Sequence, residues 1–276
     1  MIFEMHQPQA PLDSYCAQFI YYKDFQPQHR IERVVPDGSI YLIFELDGIT
    51  RNVFDNETLK PIAEYKEAWI SGAHSQYMSI SAHDQSEMFV IQFKPGGAPR
   101  LLPGDISALT NRVIPASDIL GQSVTELRAE LLKAATPTEK FKLTEAFLTV
   151  QANAVISADL LVAELVLAIQ ANSTAQLKEL IAASDYSQKQ LIHHFKTRVG
   201  LTPKMFQRMV RFGEILPRIM ERQTISWDKI SVECHYFDQS HFIKEFKKFS
   251  GYSPREFLTA QGDHQGANFF PLADPE

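Results

Sequence analysis

This sequence lacks the features of a disulfide framework, a membrane span or a secretion signal. Only two cysteines occur among its 276 residues, Cys16 and Cys234, and they form no Cys-x-x-Cys pair. No long apolar run is present, and the first residues lack the basic start and the apolar core of a signal peptide. We therefore expect a globular protein of a reducing cytoplasm, with no membrane partner.

The residue patterns of common catalytic and metal sites are also missing. There is no Gly-rich phosphate loop, no nucleophile elbow and no His-x-His pair, and no acidic residue completes a ligand set with His74 or His83. We expect these two histidines at the surface or satisfied within the core, and both cysteines as structural thiols. The sequence therefore predicts a protein that is not an enzyme, with no cofactor and no bound transition metal.

Charge is distributed unevenly along the chain. Residues 1–153 contain 13 Lys and Arg against 19 Asp and Glu, whereas residues 154–262 contain 14 against 11 and residues 263–276 none against 3. An acidic domain joined to a mildly basic one is typical of a DNA-reading domain tethered to something else. We therefore predict an N-terminal domain over 1–153, a DNA-binding domain over 154–262 and a polar tail over 263–276.

One structural unit occurs twice in the C-terminal half. Gly200-Leu201-Thr202-Pro203-Lys204-Met205-Phe206 aligns with Gly251-Tyr252-Ser253-Pro254-Arg255-Glu256-Phe257, so that Gly, a hydroxyl residue, Pro and Phe recur at an offset of 51 residues. Upstream, Leu191, Ile192, Phe195 and Lys196 fall opposite Phe242, Ile243, Phe246 and Lys247. Each copy therefore has the same apolar face followed by a basic residue.

Each copy is predicted to contain a short helix, a tight turn and a capped second helix that ends at glycine. The predicted elements of the first copy are Leu177 to Ala183 and then Gln188 to Val199, with Ser187 as cap and Gly200 as stop. Those of the second are Ile230 to Cys234 and Gln239 to Phe249, with Asp238 as cap and Gly251 as stop. This is the helix-turn-helix layout, in which the second helix lies in the DNA major groove.

The second copy closely resembles the second helix-turn-helix of the AraC/XylS family of bacterial transcription regulators. The likeness rests on Ile230-Ser231-Val232-Glu233-Cys234-His235-Tyr236-Phe237-Asp238-Gln239-Ser240-His241-Phe242, Phe246-Lys247-Lys248 and Gly251-Tyr252-Ser253-Pro254, and it runs roughly from Ser157 to Leu258. It implies a sequence-specific regulator that binds double-stranded DNA and, if it activates, RNA polymerase. The family usually has Gly in the turns; Asp185 and His235 stand there, and both residue types tolerate a left-handed backbone.

The N-terminal half reads as a small β-barrel or sandwich. Short apolar runs are separated by Pro36-Asp37-Gly38, Asp47-Gly48 and Pro95-Gly96-Gly97; the runs are Phe19 to Tyr22, Ile40 to Leu46, Trp69 to Gly72, Tyr77 to Ile80 and Met88 to Phe93. The Pro-Asp-Gly turn and the Phe93 to Ala98 segment also resemble uncharacterised cupin-like domains that precede AraC-type DNA-binding halves. The predicted fold class is therefore α+β, a cupin-like domain followed by an all-α domain.

Helical spacing follows the strands. Val124 to Ala134 and Thr138 to Ala152, the latter capped by Thr138, are expected to form a hairpin against the barrel and a candidate dimer surface. Ser157 is expected to cap the helix Ala158 to Ala171, the first of the DNA-binding half. A connecting helix from Pro203 to Arg222 contains Pro217 and should kink or end near Leu216. In the tail only Phe269-Phe270 has the apolar character to dock.

Two sets of polar residues are candidates for DNA contact. The alternative for the first set is a solvated helix face, and the alternative for the helix starts of the second set is simple capping. The predicted base readers lie on the faces opposite the core residues of the two capped helices: Lys189, His193, Gln239, His241 and Lys244. The predicted phosphate contacts lie at helix starts and along basic faces: Thr202, Lys204, Arg208, Arg211, Lys248 and Ser253.

Aromatic residues of the N-terminal strands are candidates for a ligand pocket, against the commoner alternative of core packing; they are Tyr22, Tyr41, Phe44 and Trp69. Two functions therefore stay open. One is a DNA-binding regulator whose N-terminal domain senses an unknown small-molecule effector or forms a homodimer. The other is a small-molecule-binding or enzymatic barrel whose helical half is a protein-interaction module.

Overall fold

A computed structural model describes residues 1–152, 157–176, 178–179, 186–220, 227, 230–231, 236, 238–259 and 269–272. The predicted α+β class is confirmed: two β-sheets and a helical hairpin form the N-terminal part, and helices form the C-terminal part. Within these ranges no helix is long and apolar enough to cross a bilayer.

Antiparallel strands build both sheets. They are β1 Ile2–His6, β2 Cys16–Phe25, β3 Ile31–Val34, β4 Ile40–Glu45, β5 Arg51–Phe54, β6 Pro61–Tyr65, β7 Ala68–Ser71, β8 Met78–Ser81, β9 Ser86–Phe93, β10 Val113–Pro115 and β11 Phe269–Leu272. The larger sheet has the order β1-β2-β9-β4-β7-β10 and the smaller the order β11-β3-β8-β5-β6. The five predicted apolar runs fall in β2, β4, β7, β8 and β9, which form the centre of the larger sheet and one strand of the smaller.

The two faces of the larger sheet have different neighbours. On β4, Phe44 packs against Phe89 of β9, and Phe89 contacts Phe141 of the helical hairpin. Ile43, one residue earlier, instead packs with Trp69 between the two sheets. Because successive strand residues point to opposite faces, one face of this sheet supports helices and the other closes on the second sheet.

The predicted helical hairpin follows the strands. It consists of α2 Gln122–Lys133 and α3 Pro137–Gln151, and the short helix α1 Ser117–Leu120 precedes it. The cap of α3 is Thr136, two residues earlier than the predicted Thr138, and it forms a reciprocal capping box with Glu139. The sequence Thr-Pro-Thr-Glu explains the shift, because Pro137 is tolerated at the first helical position and places Glu139 at the third.

The C-terminal helices confirm the duplicated pattern. They are α4 Ser157–Ala171, α5 Gln188–Val199, α6 Pro203–Met220, α7 Gln239–Ser250 and α8 Pro254–Thr259. Ser187 and Asp238 cap α5 and α7, and Gly200 and Gly251 end them with φ of 86° and 78°. The predicted turn residues Asp185 and His235, and most of the predicted first helices, lie outside the described residues.

The sequence predicts that the connecting helix kinks or ends near Leu216. The helix α6 does not end there; it continues to Met220 with Pro217 inside. Proline at this position opposes the carbonyl of residue 213, four positions earlier, and that residue is the exposed Gly213. Ile215 and Ile219 are fully buried on either side of the proline. Burial of this apolar face therefore outweighs the lost backbone hydrogen bond.

The C-terminal tail returns to the N-terminal domain. β11 pairs antiparallel with β3, with Phe270 opposite Arg33 and Leu272 opposite Ile31. The side chain of Phe270 is buried, and its ring centroid lies 4.6 Å from that of Phe257 in α8. The predicted docking of this segment is confirmed, in the form of an added strand.

Candidate nucleic-acid interface

The first candidate reading helix is α5. Its inner face is fixed by Leu191 and Phe195, which are 1% and 0% exposed, and Phe195 packs against Phe206 of α6. Lys189 and His193 lie on the opposite face and are exposed. The Ser187 and Gln190 side chains bond each other and cap the helix start, so the exposed face begins on an ordered turn.

The second candidate reading helix is α7, and it repeats this arrangement. Phe242 and Phe246 are fully buried, and Phe246 packs edge-on against Phe212 of α6 at 5.1 Å. Gln239, His241 and Lys244 are exposed. The five predicted base readers therefore all lie at the surface, on helices whose orientation is held by buried aromatic side chains.

Arg208 has a partner within the domain. Its Nε and Nη2 atoms each lie 3.1 Å from one carboxylate oxygen of Glu245, a residue of α7 that is only 3% exposed. The Tyr236 hydroxyl lies 3.5 Å from the other oxygen, and the exposed His241 ring lies 3.4 Å from the Arg208-bound oxygen. Arg208 was predicted as a phosphate contact; in the structure it links the connecting helix α6 to the second candidate reading helix α7.

Arg211 is also engaged. It donates to the Ser173 carbonyl at 3.3 Å, and its guanidinium lies 5.9 Å from the Tyr236 ring centroid. Gln207 on the same helix donates to the Ala175 carbonyl at 2.7 Å. These side chains of α6 therefore supply hydrogen-bond donors to backbone carbonyls of the loop after α4. Carbonyl groups of a loop that packs against a helix need such partners, because a buried carbonyl without one is costly.

The two helix starts that were predicted to bind phosphate differ. At α6, Thr202 accepts from the Met205 amide at 3.2 Å, and Lys204 is exposed. At α8, Ser253 accepts from the Glu256 amide, and Glu256 accepts from the Ser253 amide at 2.6 Å.

Hydrogen bonds from the Ser253 amide and hydroxyl lower the pKa of Glu256, so its carboxylate is charged where a phosphate would have to bind. Since Met205 stands at the equivalent position of the first copy, only the α6 start is open to an anion. Lys248, at the end of α7, is partly exposed.

The four predicted pocket residues do not share one surface. Tyr22, Tyr41 and Trp69 belong to one apolar cluster between the sheets, whereas Phe44 faces the helical hairpin. Tyr41 and Phe44 are three residues apart on one strand, so their side chains must point to opposite faces, and Phe44 was wrongly grouped with the others. Of the four, Tyr41 alone lines the small cavity of about 30 Å³ near Asp37 and His74, which has room for one water.

Charged residues at one end of the N-terminal sheets are buried. Glu45 is 0% exposed, and it lies 3.0 Å from Nε of Arg51 and accepts from the Trp69 indole at 2.8 Å. Burial raises the pKa of Glu45 to about 7, and Arg51 opposes the rise. The sequence reading missed this cluster, although an acidic residue ending an apolar strand and an arginine six residues later were a usable signal.

The two isolated histidines are satisfied within the domain, as expected. His74 lies 3.1 Å from the Ser71 hydroxyl and His83 lies 2.8 Å from the Ser81 hydroxyl. Burial lowers the pKa of His74 to about 4, so the ring is neutral at neutral pH. Within the described ranges no group of three metal-ligating side chains comes together.

Comparison with known families and structures adds two sequence matches. A family described as a helix-turn-helix domain matches residues 180–260, and a domain of unknown function (DUF6597) matches residues 4–115. No curated protein matches the chain. The helix-turn-helix match covers both candidate reading helices.

Solved structures of ToxT from Vibrio cholerae are among the structures to which this chain is similar. An apo variant has 10% identity over 87% of this chain and 97% of that chain, with a TM-score of 0.46. A second structure has 10% identity over 94% of this chain and 98% of that chain, with a TM-score of 0.45. A structure bound to an unsaturated fatty acid has 12% identity over 93% of this chain and 94% of that chain, with a TM-score of 0.42. At this identity neither a ligand nor a residue role is carried across, and the helix-turn-helix match is the one that bears on function.

Proposed function

We propose that this chain is a sequence-specific DNA-binding transcription regulator of the AraC/XylS type, because a helix-turn-helix domain family matches residues 180–260. The observation that supports the proposal most is the duplicated reading unit. Two capped helices end at equivalent glycines, are fixed by buried phenylalanines and expose polar side chains on the face away from that core. Such helices insert into adjacent major-groove segments.

We assign base reading to the exposed side chains of α5 and α7, namely Lys189, His193, Gln239, His241 and Lys244. Lys and Gln pair with guanine and adenine edges, and His is a weaker reader. His241 also contacts the buried Glu245, so we expect its contribution to depend on that contact. Lys244 is therefore the reader on which discrimination by α7 should depend most.

The phosphate set is proposed in a revised form. Thr202 and Lys204 lie at a helix start with no acidic residue in the cap, and Lys248 lies at the end of α7, so these three are the proposed backbone contacts. Arg208 and Arg211 are proposed to hold the helices in place. Ser253 is left as a helix cap, because Glu256 occupies its amide.

The N-terminal domain is proposed to regulate the DNA-binding domain, by sensing an effector or by pairing with a second copy. It lies directly against the reading unit: Gly38, in the turn between β3 and β4, is so close to Phe206 of α6 that a Cβ atom would lie 2.6 Å from the ring. A change in the conformation of that turn would therefore shift the connecting helix α6. Such a regulator works in the bacterial cytoplasm, with RNA polymerase as a further partner if it activates.

The proposal is tested by selecting duplexes from random DNA with the full chain. Binding to the selected duplex and to a scrambled duplex is then titrated at several salt concentrations. We expect two preferred sequence blocks, one for each reading helix, and a preference of about 10³-fold or more over scrambled DNA. Recovery of no preferred sequence at any of these salt concentrations would contradict the proposal and favour the alternative, a ligand-binding or enzymatic barrel with an interaction module.

A further inference from the structure

The N-terminal domain holds both reading helices at the same point of the repeat. The carbonyl of Gly200, which ends α5, accepts a hydrogen bond from the Thr110 hydroxyl. The carbonyl of Gly251, which ends α7, accepts from Nη1 of Arg33 at 2.9 Å. These glycines are the equivalent positions of the two copies, 51 residues apart. Two different elements of one domain therefore bind the two copies at matching atoms.

Both contacts require close approach of backbone to side chain. A Cβ atom on Gly200 would lie 3.2 Å from the Cβ of Ala73, and one on Gly251 would lie 2.8 Å from the Tyr77 ring and 2.9 Å from Arg33. Each glycine also has a left-handed backbone that other residues rarely adopt. The helix ends are thus fitted against the N-terminal domain.

Arg33 makes the contact at α7 specific. Its guanidinium lies 4.3 Å from the ring centroid of Tyr252 and 5.0 Å from that of Tyr77, so one aromatic ring from each domain stacks on it. The carbonyl that it binds is at the negative end of the helix dipole. The Tyr77 amide adds a bond of 3.4 Å to the Lys248 carbonyl, one turn earlier.

The tail strand strengthens this contact from the other side. β11 pairs with β3, the strand that contains Arg33, and the Tyr252 hydroxyl donates to the Pro271 carbonyl at 2.6 Å. Phe270 packs on Phe257 of α8, the helix that follows Gly251. The second reading unit is therefore attached to the N-terminal domain both directly and through the tail.

These attachments leave the reading faces uncovered. In a helix-turn-helix, the N-terminal residues of the second helix contact the bases. The attachments described here are to the C-terminal ends of α5 and α7, and all five proposed readers are exposed with the attachments in place. The contacts are therefore suited to aiming the helices, and they do not obstruct them.

We propose that the N-terminal domain sets the placement of the two reading helices on DNA, with Thr110 as the positioning residue for the first helix and Arg33 for the second. This inference rests on the proposed DNA-binding function. It gives the domain of unknown function a role that needs no ligand. Loss of either positioning residue should impair reading of one sequence block and spare the other.

The test uses the full chain and the selected duplex, together with one version scrambled in the first block and one scrambled in the second. For Arg33→Ala we expect preference for the intact second block to fall about tenfold, the size of one misplaced base contact, with the first block unaffected. Thr110→Val, which keeps shape and loses the hydroxyl, should give the opposite pattern. Arg30→Ala, which removes an exposed arginine from the same segment, should change neither.

A second, more conservative variant keeps the test valid if Arg33→Ala fails to fold. Tyr252→Phe removes only the hydroxyl that bonds the tail strand and should lower preference for the second block in the same direction as Arg33→Ala. Equal loss at both blocks, no loss at either, or tighter binding to every duplex would each overturn the inference while leaving DNA binding standing. If the unaltered chain selects no sequence, the proposed function fails and the inference fails with it.

Discussion

Glu245 lies where the connecting helix meets the second reading helix. It is 3% exposed, and the charge is balanced chiefly by Arg208, whose side chain is 31% exposed. Among the described residues, a Glu245 carboxylate that loses Arg208 keeps the Tyr236 hydroxyl at 3.5 Å and the His241 ring at 3.4 Å as its partners. The contact therefore stabilises the placement of α7 on α6.

We predict that Arg208→Ala lowers the free energy of unfolding by about 1–3 kcal/mol, the range for a hydrogen bond to a charged group, reduced because Arg208 is partly in water. Urea denaturation measures the loss. Adding Glu245→Gln to Arg208→Ala should recover part of it, since an amide is less costly to leave unpaired. Equal stability of Arg208→Ala and the unaltered chain would show that the pair contributes nothing.

His74 predicts a pH dependence of the N-terminal domain. Burial lowers the pKa of His74 from 6.5 to about 4. The unfolded chain therefore takes up a proton that the folded chain resists, so the stability associated with the neutral ring is present above pH 6.5 and is lost as the pH falls towards 4. The shift corresponds to at most about 3 kcal/mol.

The measurement is urea unfolding of the unaltered chain and of His74→Gln between pH 7 and pH 4.5. Glu45, with its raised pKa, has the opposite effect in the same window, so only the difference between the two proteins isolates His74. We expect that difference to shift in favour of the variant as the pH falls. Parallel curves would show that His74 titrates as it does in the unfolded chain.

Side-chain contacts such as the one between Arg208 and Glu245 could not be predicted from the sequence. Arg208 and Glu245 are 37 positions apart on helices of different repeats, and each lies on a pattern that also fits a solvated or DNA-facing role. Exposure of the readers was predictable, because a helical period relates Lys244 to Phe242 and Phe246. The role of Ser253 as a helix cap paired with Glu256 was partly predictable from the sequence, since Ser-x-x-Glu is a capping-box pattern.

At the scale of elements, the reading helices were predictable because their signals are local. Ser187, Gly200, Asp238 and Gly251 act within one turn of the helices that they begin or end, and the structure confirms all four. Strands β3 and β11 had no such signal. Their pairing joins residues 31–34 to residues 269–272, and Pro271 within β11 even argues against a strand.

The connecting helix gives a prediction at this scale. Pro217→Ala restores a backbone donor opposite the Gly213 carbonyl and should raise the free energy of unfolding by about 1–3 kcal/mol. Since the N-terminal domain also fixes the reading helices, DNA affinity should change by less than about threefold, well under one base contact.

The control is Gly213→Ala, because a Cβ there meets open space and the change alters helix propensity alone, by up to about 1 kcal/mol. Denaturation and DNA titration of both variants make the comparison. A large loss of affinity in Pro217→Ala with none in Gly213→Ala would mean that the shape of α6, and not the N-terminal domain, sets the spacing of the reading helices.

At the scale of the molecule, the acidic N-terminal part and the mildly basic C-terminal part are in contact through the ends of both candidate reading helices. Charge counting indicated two domains of different character, and the duplicated motif indicated what one of them does. Neither indicated the contact between them. It depends on single side chains such as Arg33, whose partners among the C-terminal helices, Gly251 and Tyr252, are more than 200 residues away in the sequence.

The central claim is that α7 reads bases, and Lys244 tests it most directly. Lys244→Ala and Lys248→Ala are titrated against the selected and the scrambled duplex at several salt concentrations. Lys244→Ala should cost about 1–3 kcal/mol at the selected duplex and relax the preference at one base pair. Lys248→Ala should weaken both duplexes alike and reduce the salt slope by about one unit. If Lys244→Ala instead weakens both duplexes equally, α7 docks on the DNA without reading it, and the account is contradicted.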